Sequence, residues 1–418
     1  MIYFDCHLLG SEGLQQMIGD ALRHSRERAD ELLRGLNPCV LIAVVVLLVI
    51  PMMPPSPSIL YNWHEGALVE IFRAWRWASV ALIAFGFLLC GSLKNPFVIA
   101  MVVLCGAVLV STYVNGGSYR DWAYDWFAYA SVVLLAAALC KTRPKELAWG
   151  ILVATASMAL CNVASIVVCP LGVYDPLVYF YGNRNIAYQL SFLIMTCTLL
   201  LDGMKGVSFS VRSFAAILLA VAQVVLAHSV TSCIALAFAA IGLVLVRWSA
   251  PRKILNGLTM VTASLLSFVL VVVCRIQDYL APLVSALGKN VTFSGRTPIW
   301  DLALGLFNGE GAVFGYGVSG NALIQVNGVH YAHTHNIYLD AWFLGGLVAL
   351  LAMGALVLMS AFRLYRLRNA RCFAMLAIML GAYLIVGVTE PMTRVSFFIF
   401  LALCYRWPQS VAGSERAM

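Results

Sequence analysis

What constrains this chain most is the recurrence of long apolar runs, with almost every charge confined to the intervals between them. Runs at 39–53, 75–93, 96–114, 122–139, 147–168, 186–201, 214–228, 232–248, 254–274, 337–360, 372–388 and 395–405 make about twelve candidate membrane spans. Of 418 residues, 62% are hydrophobic and only 11% are charged. A soluble domain of this length has no use for so much apolar surface, and in hydrocarbon a chain must satisfy its own backbone amides. The expected fold is therefore all-α: a polytopic helical bundle of about twelve transmembrane helices. It carries one long connection, 275–336, with amphipathic helices of its own.

The net charge of +8 does not read as a nucleic-acid footprint. About 19 of the 27 Lys and Arg fall in connections on one side of the expected bundle, the positive-inside bias of a membrane protein. Lys141, Arg143 and Lys145, then Arg247, Arg252 and Lys253, then Arg363, Arg366, Arg368 and Arg371 all share that side. Both termini are expected there too, in the cytoplasm. The twelve cysteines are scattered, mostly inside spans, and suggest neither a disulfide framework nor a zinc site. Cys169 and Cys274 fall near the opposite face, where they could pair. Residues 1–36 lack the apolar core of a signal peptide. Leu14, Met17, Ile18, Ala21 and Leu22 recur at helical spacing opposite Arg23, Arg26, Glu27 and Arg28, which suggests an interfacial helix on the cytoplasmic leaflet. Residues 411–418 form a cytoplasmic tail.

The non-cytoplasmic side receives the 174–185 connection, the 228–232 turn, the 275–336 loop and the 390–394 turn. At roughly 60 residues the third is far longer than a structural connection needs, so it is expected to carry function. Within it, 297–308 reads as an amphipathic helix resting on the membrane, with Ile299, Trp300, Leu302, Ala303, Leu306 and Phe307 on one face. The loop closes on His330-Tyr331-Ala332-His333-Thr334-His335-Asn336, three imidazoles and a carboxamide running straight into a span. Three roles are open to this cluster: a zinc site, although no acidic or Cys partner is near in sequence; hydrogen bonding at a helix entrance, with Asn336 as N-cap; or general-base chemistry on a hydroxyl.

Arginine on that side is sparse, which gives weight to Arg184 in a turn-like Gly-Asn-Arg-Asn run and to Arg296 after Ser294-Gly295. A guanidinium fork suits a phosphate or diphosphate better than a point charge does. Arg73, Arg76 and Arg120 read as arginines snorkelling to lipid phosphates. No Asp-x-Asp pair occurs on that side, so a Mg²⁺–diphosphate site is not signalled.

Four runs occur in order: Gly182-Asn183-Arg184-Asn185-Ile186-Ala187, Ser294-Gly295-Arg296-Thr297-Pro298-Ile299-Trp300, Phe314-Gly315-Tyr316-Gly317 and His333-Thr334-His335-Asn336-Ile337-Tyr338-Leu339. Together they resemble the bacterial O-antigen ligase / polysaccharide polymerase superfamily. The resemblance implies a membrane glycosyltransferase of the inner membrane, with residues 37–410 as its transmembrane catalytic domain and an active site on the outer face. It would take a glycan from a polyprenyl diphosphate carrier to an acceptor sugar hydroxyl, with inversion and without metal or other cofactor. His335 or His333 would then be the base, Asn336 would orient the acceptor, and Arg296 and Arg184 would hold the diphosphate. Arg275 is a further candidate, because family members often carry a basic residue where this chain has Val230. The implied partners are a lipid-linked oligosaccharide donor, a glycan or glycolipid acceptor and the bilayer, with a chain-length regulator or a flippase as candidate protein partners. A repeat-unit polymerase is the leading reading. The alternatives are a ligase that moves the finished glycan to a lipid core, and a transporter that makes no bond.

Overall fold

The computed structural model describes residues 27–62, 66–91, 94–207, 209–279, 296–307, 309–319, 324–326, 329–331, 333–391 and 394–408. The interfacial helix expected from Leu14 to Arg26 lies outside these residues, as do Lys289, Ser294, Gly295 and the 411–418 tail. Every apolar run marked in the sequence is helical, with ends displaced by a few residues.

Local sequence explains many of the boundaries. Asn37 opens α2 (Pro38–Val49) by accepting from the Cys39 amide at 2.9 Å, and Asn95 opens α5 (Pro96–Val114) by accepting from Phe97 at 3.2 Å. In both, proline follows the cap, where its missing N–H would have had no partner anyway. Arginines at that same end of the bundle close other helices by donating to terminal carbonyls: Arg143 to Leu33 O at 2.8 Å, Arg252 to Val246 O and Arg363 to Trp407 O, both at 2.7 Å. We refer to this as the basic end.

Among the described residues six helices are long and apolar enough to cross a membrane. A seventh span is the bent pair of α1 (Glu27–Gly35) and α2 with its 3₁₀ extension, turning through 107°. The other apolar helices are shorter: α9 (Val211–Leu226), α10 (Val230–Leu245), α12 (Gly257–Phe268, continued by a π turn to Val273), α17 (Arg371–Gly387) and α18 (Val395–Arg406). A helix of 16 residues extends only about 24 Å, less than a hydrocarbon core of about 30 Å. The expectation of about twelve spans is thus met in helices but not in full-length ones. For α17 and α18 the reason is position. Side chains of α17 and α18 are buried almost throughout, so these helices fill the interior and need not match the lipid.

The layering follows from the same burial. Helix α8 (Tyr188–Met204) is buried on all sides, whereas α4 (Ala67–Cys90) buries only Arg76, Ser79, Ile83 and Phe87, one stripe at helical spacing. Around the core stand α6 (Tyr119–Leu139) and α7 (Pro144–Val168). Short helices α3 (Pro57–Asn62), α11 (Ser249–Ile254) and α13 (Ile276–Tyr279) lie in connections, and a small hairpin, β1 (Val178–Tyr179) with β2 (Gly182–Asn183), precedes α8.

The long loop packs on protein. Helix α14 (Arg296–Leu306) buries Ile299, Trp300 and Ala303 against Val272, Leu339 and Phe343. This corrects the expectation of a helix resting on the membrane: its apolar face meets α12 and α16 (Ile337–Arg366). Phe307 stacks flat on Trp342 with ring centroids 3.9 Å apart. After α15 (Glu310–Phe314) the chain crosses a break in α16, where Gly345 and Gly346 leave helical geometry. Tyr316 N donates to Phe343 O at 2.7 Å and Gly317 N to Leu344 O at 3.2 Å, so carbonyls released by the break are satisfied by the strap. A Cβ at Gly346 would stand 1.9 Å from Val313 O, which only glycine avoids. A second hairpin pairs β3 (Ile324–Val326) with β4 (Val329–Tyr331) just before the histidines.

Candidate functional site

The histidine segment lies at the end of the bundle opposite the basic end. Asn336 is fully buried at the N-terminus of α16, and its carboxamide oxygen accepts from Tyr338 N at 2.9 Å and Leu339 N at 3.2 Å. Its amide donates to Val388 O at 2.9 Å. Both ends of the side chain are committed to backbone, so Asn336 ties the histidine segment to the end of α17 rather than facing a substrate. Asp340, buried one turn on, accepts from Thr334 N at 3.3 Å, and Thr334 donates to Asn336 O at 3.3 Å. These bonds hold His335 with φ +53°, a left-handed backbone that a non-glycine residue adopts at a cost of about 1 kcal/mol or more.

The Asn336–Val388 bond brings in the turn between α17 and α18. Glu390, buried in that turn, faces His335 with Oε2 at 3.5 Å from Nδ1, while its Oε1 pairs with Arg296 at the head of α14. Three elements distant in sequence thus meet at one carboxylate. The His333 ring lies against His335 edge to face, centroids 4.8 Å apart. Burial lowers the pKa of His333; Asp340 pulls it up, His335 and Arg394 push it down again, and Glu390 raises it, with a net lowering. His333 is therefore neutral under ordinary conditions. The side chain of His330 lies outside the described residues; its backbone pairs with Gln325.

The other expected arginines stand apart. Arg275 is engaged by Asp301 of α14 and by Asp278 at 3.9 Å, which fastens α14 to the end of α12. Arg184 opens a 3₁₀ turn after the β1–β2 hairpin, half-buried, with its amide donating to Leu177 O at 3.0 Å. Among the described residues, no hydrogen bond or ion pair joins it to the histidines. Val230 is exposed at the start of α10, but the next residue, Thr231, meets Thr389 at 3.4 Å, so the head of α10 packs on the Glu390–Arg394 turn. Residues 215–354 match the family model described as O-Antigen ligase. This stretch belongs to the O-antigen ligase domain family. Comparison with curated proteins finds none that matches the chain.

The O-antigen ligase domain runs from within α9 to within α16, about a third of the chain. It contains Arg275, Arg296, His333, His335 and Asn336. Glu390 and Arg394 come from beyond it, and sequence reasoning gave neither a role. Their signal was a carboxylate and a guanidinium in a five-residue turn between two of the greasiest helices, Glu390 to Arg394. Arg394 caps α18, and burial works against its charge. The nearby carboxyl groups of Asp340 and Asp125 work the other way, and it stays cationic.

Beside Arg394 a cavity of about 680 Å³ opens between α3, α4 and α6, within the range of small-molecule sites. Arg76, read from sequence as a snorkelling residue, is buried in its wall. It donates to Pro51 O at 2.8 Å, Tyr124 O at 3.2 Å and Met52 O at 3.3 Å, and lies over the Tyr124 ring, 3.9 Å from its centroid. Asp125 is 3.7 Å away. Arg76 is a structural pin, placed by carbonyls that the 3₁₀ end of α2 leaves open.

Proposed function

We propose that the chain is a membrane glycosyltransferase that moves a glycan from a polyprenyl diphosphate carrier to an acceptor sugar hydroxyl. The observation that carries this reading is the convergence of Arg296, Glu390 and His335 at one end of the bundle, within and beside an O-antigen ligase domain. The basic end faces the cytoplasm by the positive-inside rule, which puts the site on the outer side of a bacterial inner membrane. All twelve apolar helices then count as crossings, α17 and α18 inside the bundle and α9, α10 and α12 on its rim.

Glu390 holds Nδ1 of His335 and leaves Nε2 to take the proton from the acceptor hydroxyl. The acceptor oxygen forms a bond to the anomeric carbon as the bond from that carbon to the diphosphate oxygen breaks, and polyprenyl diphosphate leaves. Attack opposite the leaving group inverts the anomeric centre. Arg296 stabilises the charge that develops on the departing diphosphate, the larger of the two contributions. Its resting partner is Glu390, which a multiply charged phosphate displaces as it arrives. No step needs a metal. Asn336, Asp340 and Thr334 are positioning residues, and Arg275 acts through α14.

Repeat-unit polymerisation is the reading we favour. The description of the matching family favours a ligase instead. Reconstitution in liposomes with a polyprenyl-diphosphate-linked oligosaccharide and EDTA tests both. A ladder of longer chains on the same carrier supports the polymerase, and transfer only when a foreign acceptor lipid is added supports the ligase. His335→Ala is expected to abolish transfer in a normally inserted protein, and Arg296→Lys to remove most of it, because a point charge cannot make the forked contact. Absence of bond formation with every acceptor tried refutes the proposal.

A further inference from the structure

Arg394 and the cavity beside it are used by nothing above. The cavity has two unlike sides. Along one run Met52, Met53, Pro54, Leu60 and Val69, wholly apolar; the other presents arginines, tyrosines, the carboxamide of Gln189 and the carboxylates of Asp121 and Asp125. Its outer wall is α4, whose far face is apolar and exposed at Ile71, Leu82, Phe85 and Leu88, as a helix bathed in lipid would be. An occupant therefore meets guanidiniums at the floor and hydrocarbon at the wall. That is the signature of an amphiphile with an anionic head.

The charges narrow the class further. Arg76 is consumed by three carbonyls and Asp125, and Arg73 pairs with Glu70. Arg120, exposed at the mouth, and Arg394, at the floor, are left facing the space. Among the described residues Arg394 Nε is buried and makes no hydrogen bond, so the guanidinium is not pinned to the protein through that atom. Arg394 also stands at the join: it lines the cavity and shares a five-residue turn with Glu390, which pairs with Arg296 and faces His335. A phosphate on Arg394 is thereby placed beside the transfer site.

We propose that the cavity between α3, α4 and α6 seats the diphosphate head of an isoprenoid carrier, with Arg394 as its direct ligand and the Met52–Leu60 side receiving the first isoprene units. This rests on the transfer reading above and adds where the donor sits. Arg394 and Arg296 then approach the same diphosphate from two sides, one binding it on entry and one stabilising it on departure. The cation that Val230 does not provide comes from the turn packed against it.

The test is retention of radiolabelled farnesyl diphosphate by the full chain in phosphatidylcholine nanodiscs, over empty nanodiscs. Arg394→Gln is expected to weaken binding at least about tenfold, the loss of one charge-assisted contact. Val69→Trp, which fills the apolar side, is expected to do the same, and Arg120→Gln to weaken it less. Lys253→Gln at the basic end should bind as the unaltered chain does. Inorganic diphosphate should compete, while phosphatidylglycerol added to the nanodiscs should not. Undiminished binding in Val69→Trp, or in a folded Arg394→Gln, overturns the proposal; so does competition by phosphatidylglycerol equal to that by inorganic diphosphate, which would make this a phospholipid site. Because the readout is binding alone, His335→Ala should bind normally. A chain that retains the probe through Arg394 but transfers glycan to no acceptor would refute the transfer reading and leave the cavity assignment standing.

Discussion

Glu390 is the residue on which the proposed site turns, and Glu390→Gln is its sharpest test. The substitution keeps shape and volume but removes the charge shared by Arg296 and His335. The two side chains of the ion pair are 14% and 7% exposed, so solvent screens the loss little. A charge-assisted bond contributes about 1.5–3 kcal/mol and a neutral one about 0.5–1.5, so the exchange costs about 1–1.5 kcal/mol. Full truncation to Ala, which strands the guanidinium, approaches about 3–5 kcal/mol. Folded protein should therefore survive Glu390→Gln with a lowered melting temperature. Activity should fall further than stability does. Without the carboxylate at Nδ1 the imidazole is free to adopt the wrong tautomer, and general-base catalysis of about 10²-fold or more is lost. The two kinetic parameters should part company: kcat drops, while the KM for the lipid-linked donor stays level or decreases, because Arg296 has lost its competing partner. Initial rates of carrier release from proteoliposomes at several donor concentrations, with a melting curve on the same preparation, measure both. A kcat within threefold of the unaltered chain would refute the reasoning, as would a rise in KM at constant kcat.

Two other consequences concern the same end of the bundle. His333 has a folded pKa below the ordinary value near 6.5, chiefly through burial, so between the two values the unfolded chain holds a proton that the folded chain does not. Its contribution to stability is complete above about 6.5 and is lost as pH falls through that window; the melting temperature of His333→Gln should drop less between pH 7.5 and 5 than that of the unaltered chain, and equal drops would refute this. Gly346→Ala forces a Cβ against Val313 O at a φ of +65°, so it should destabilise by more than about 1 kcal/mol and loosen the 309–319 strap, visible as faster proteolysis there; unchanged cleavage and melting would refute it.

The sequence by itself determined the membrane class, the helical identity of every apolar run and the caps at Asn37, Asn95 and Asn336, and it raised His335 and Arg296 as candidates. Each of these is written in local order: a hydropathy period, an Asn before a Pro, an imidazole cluster at a helix entrance. The family motifs added which chemistry to expect. Tertiary structure decided what each polar group meets. Arg275 and Arg296 looked alike as loop arginines, yet one is taken by Asp301 and the other by Glu390. Arg76 looked like a lipid anchor and is a buried pin, because the carbonyls it satisfies lie in α2 and α6, far along the chain. The amphipathic face of α14 could equally have met lipid; only the packing of α12 and α16 put Trp300 inside protein. Glu390 and Arg394 were least legible of all. A five-residue turn has no periodicity to betray its role, and these side chains acquire meaning only when the Asn336–Val388 bond carries the turn to the histidines. Charge in a low-dielectric interior acts over the distances that folding creates, and those distances are not written in sequence spacing.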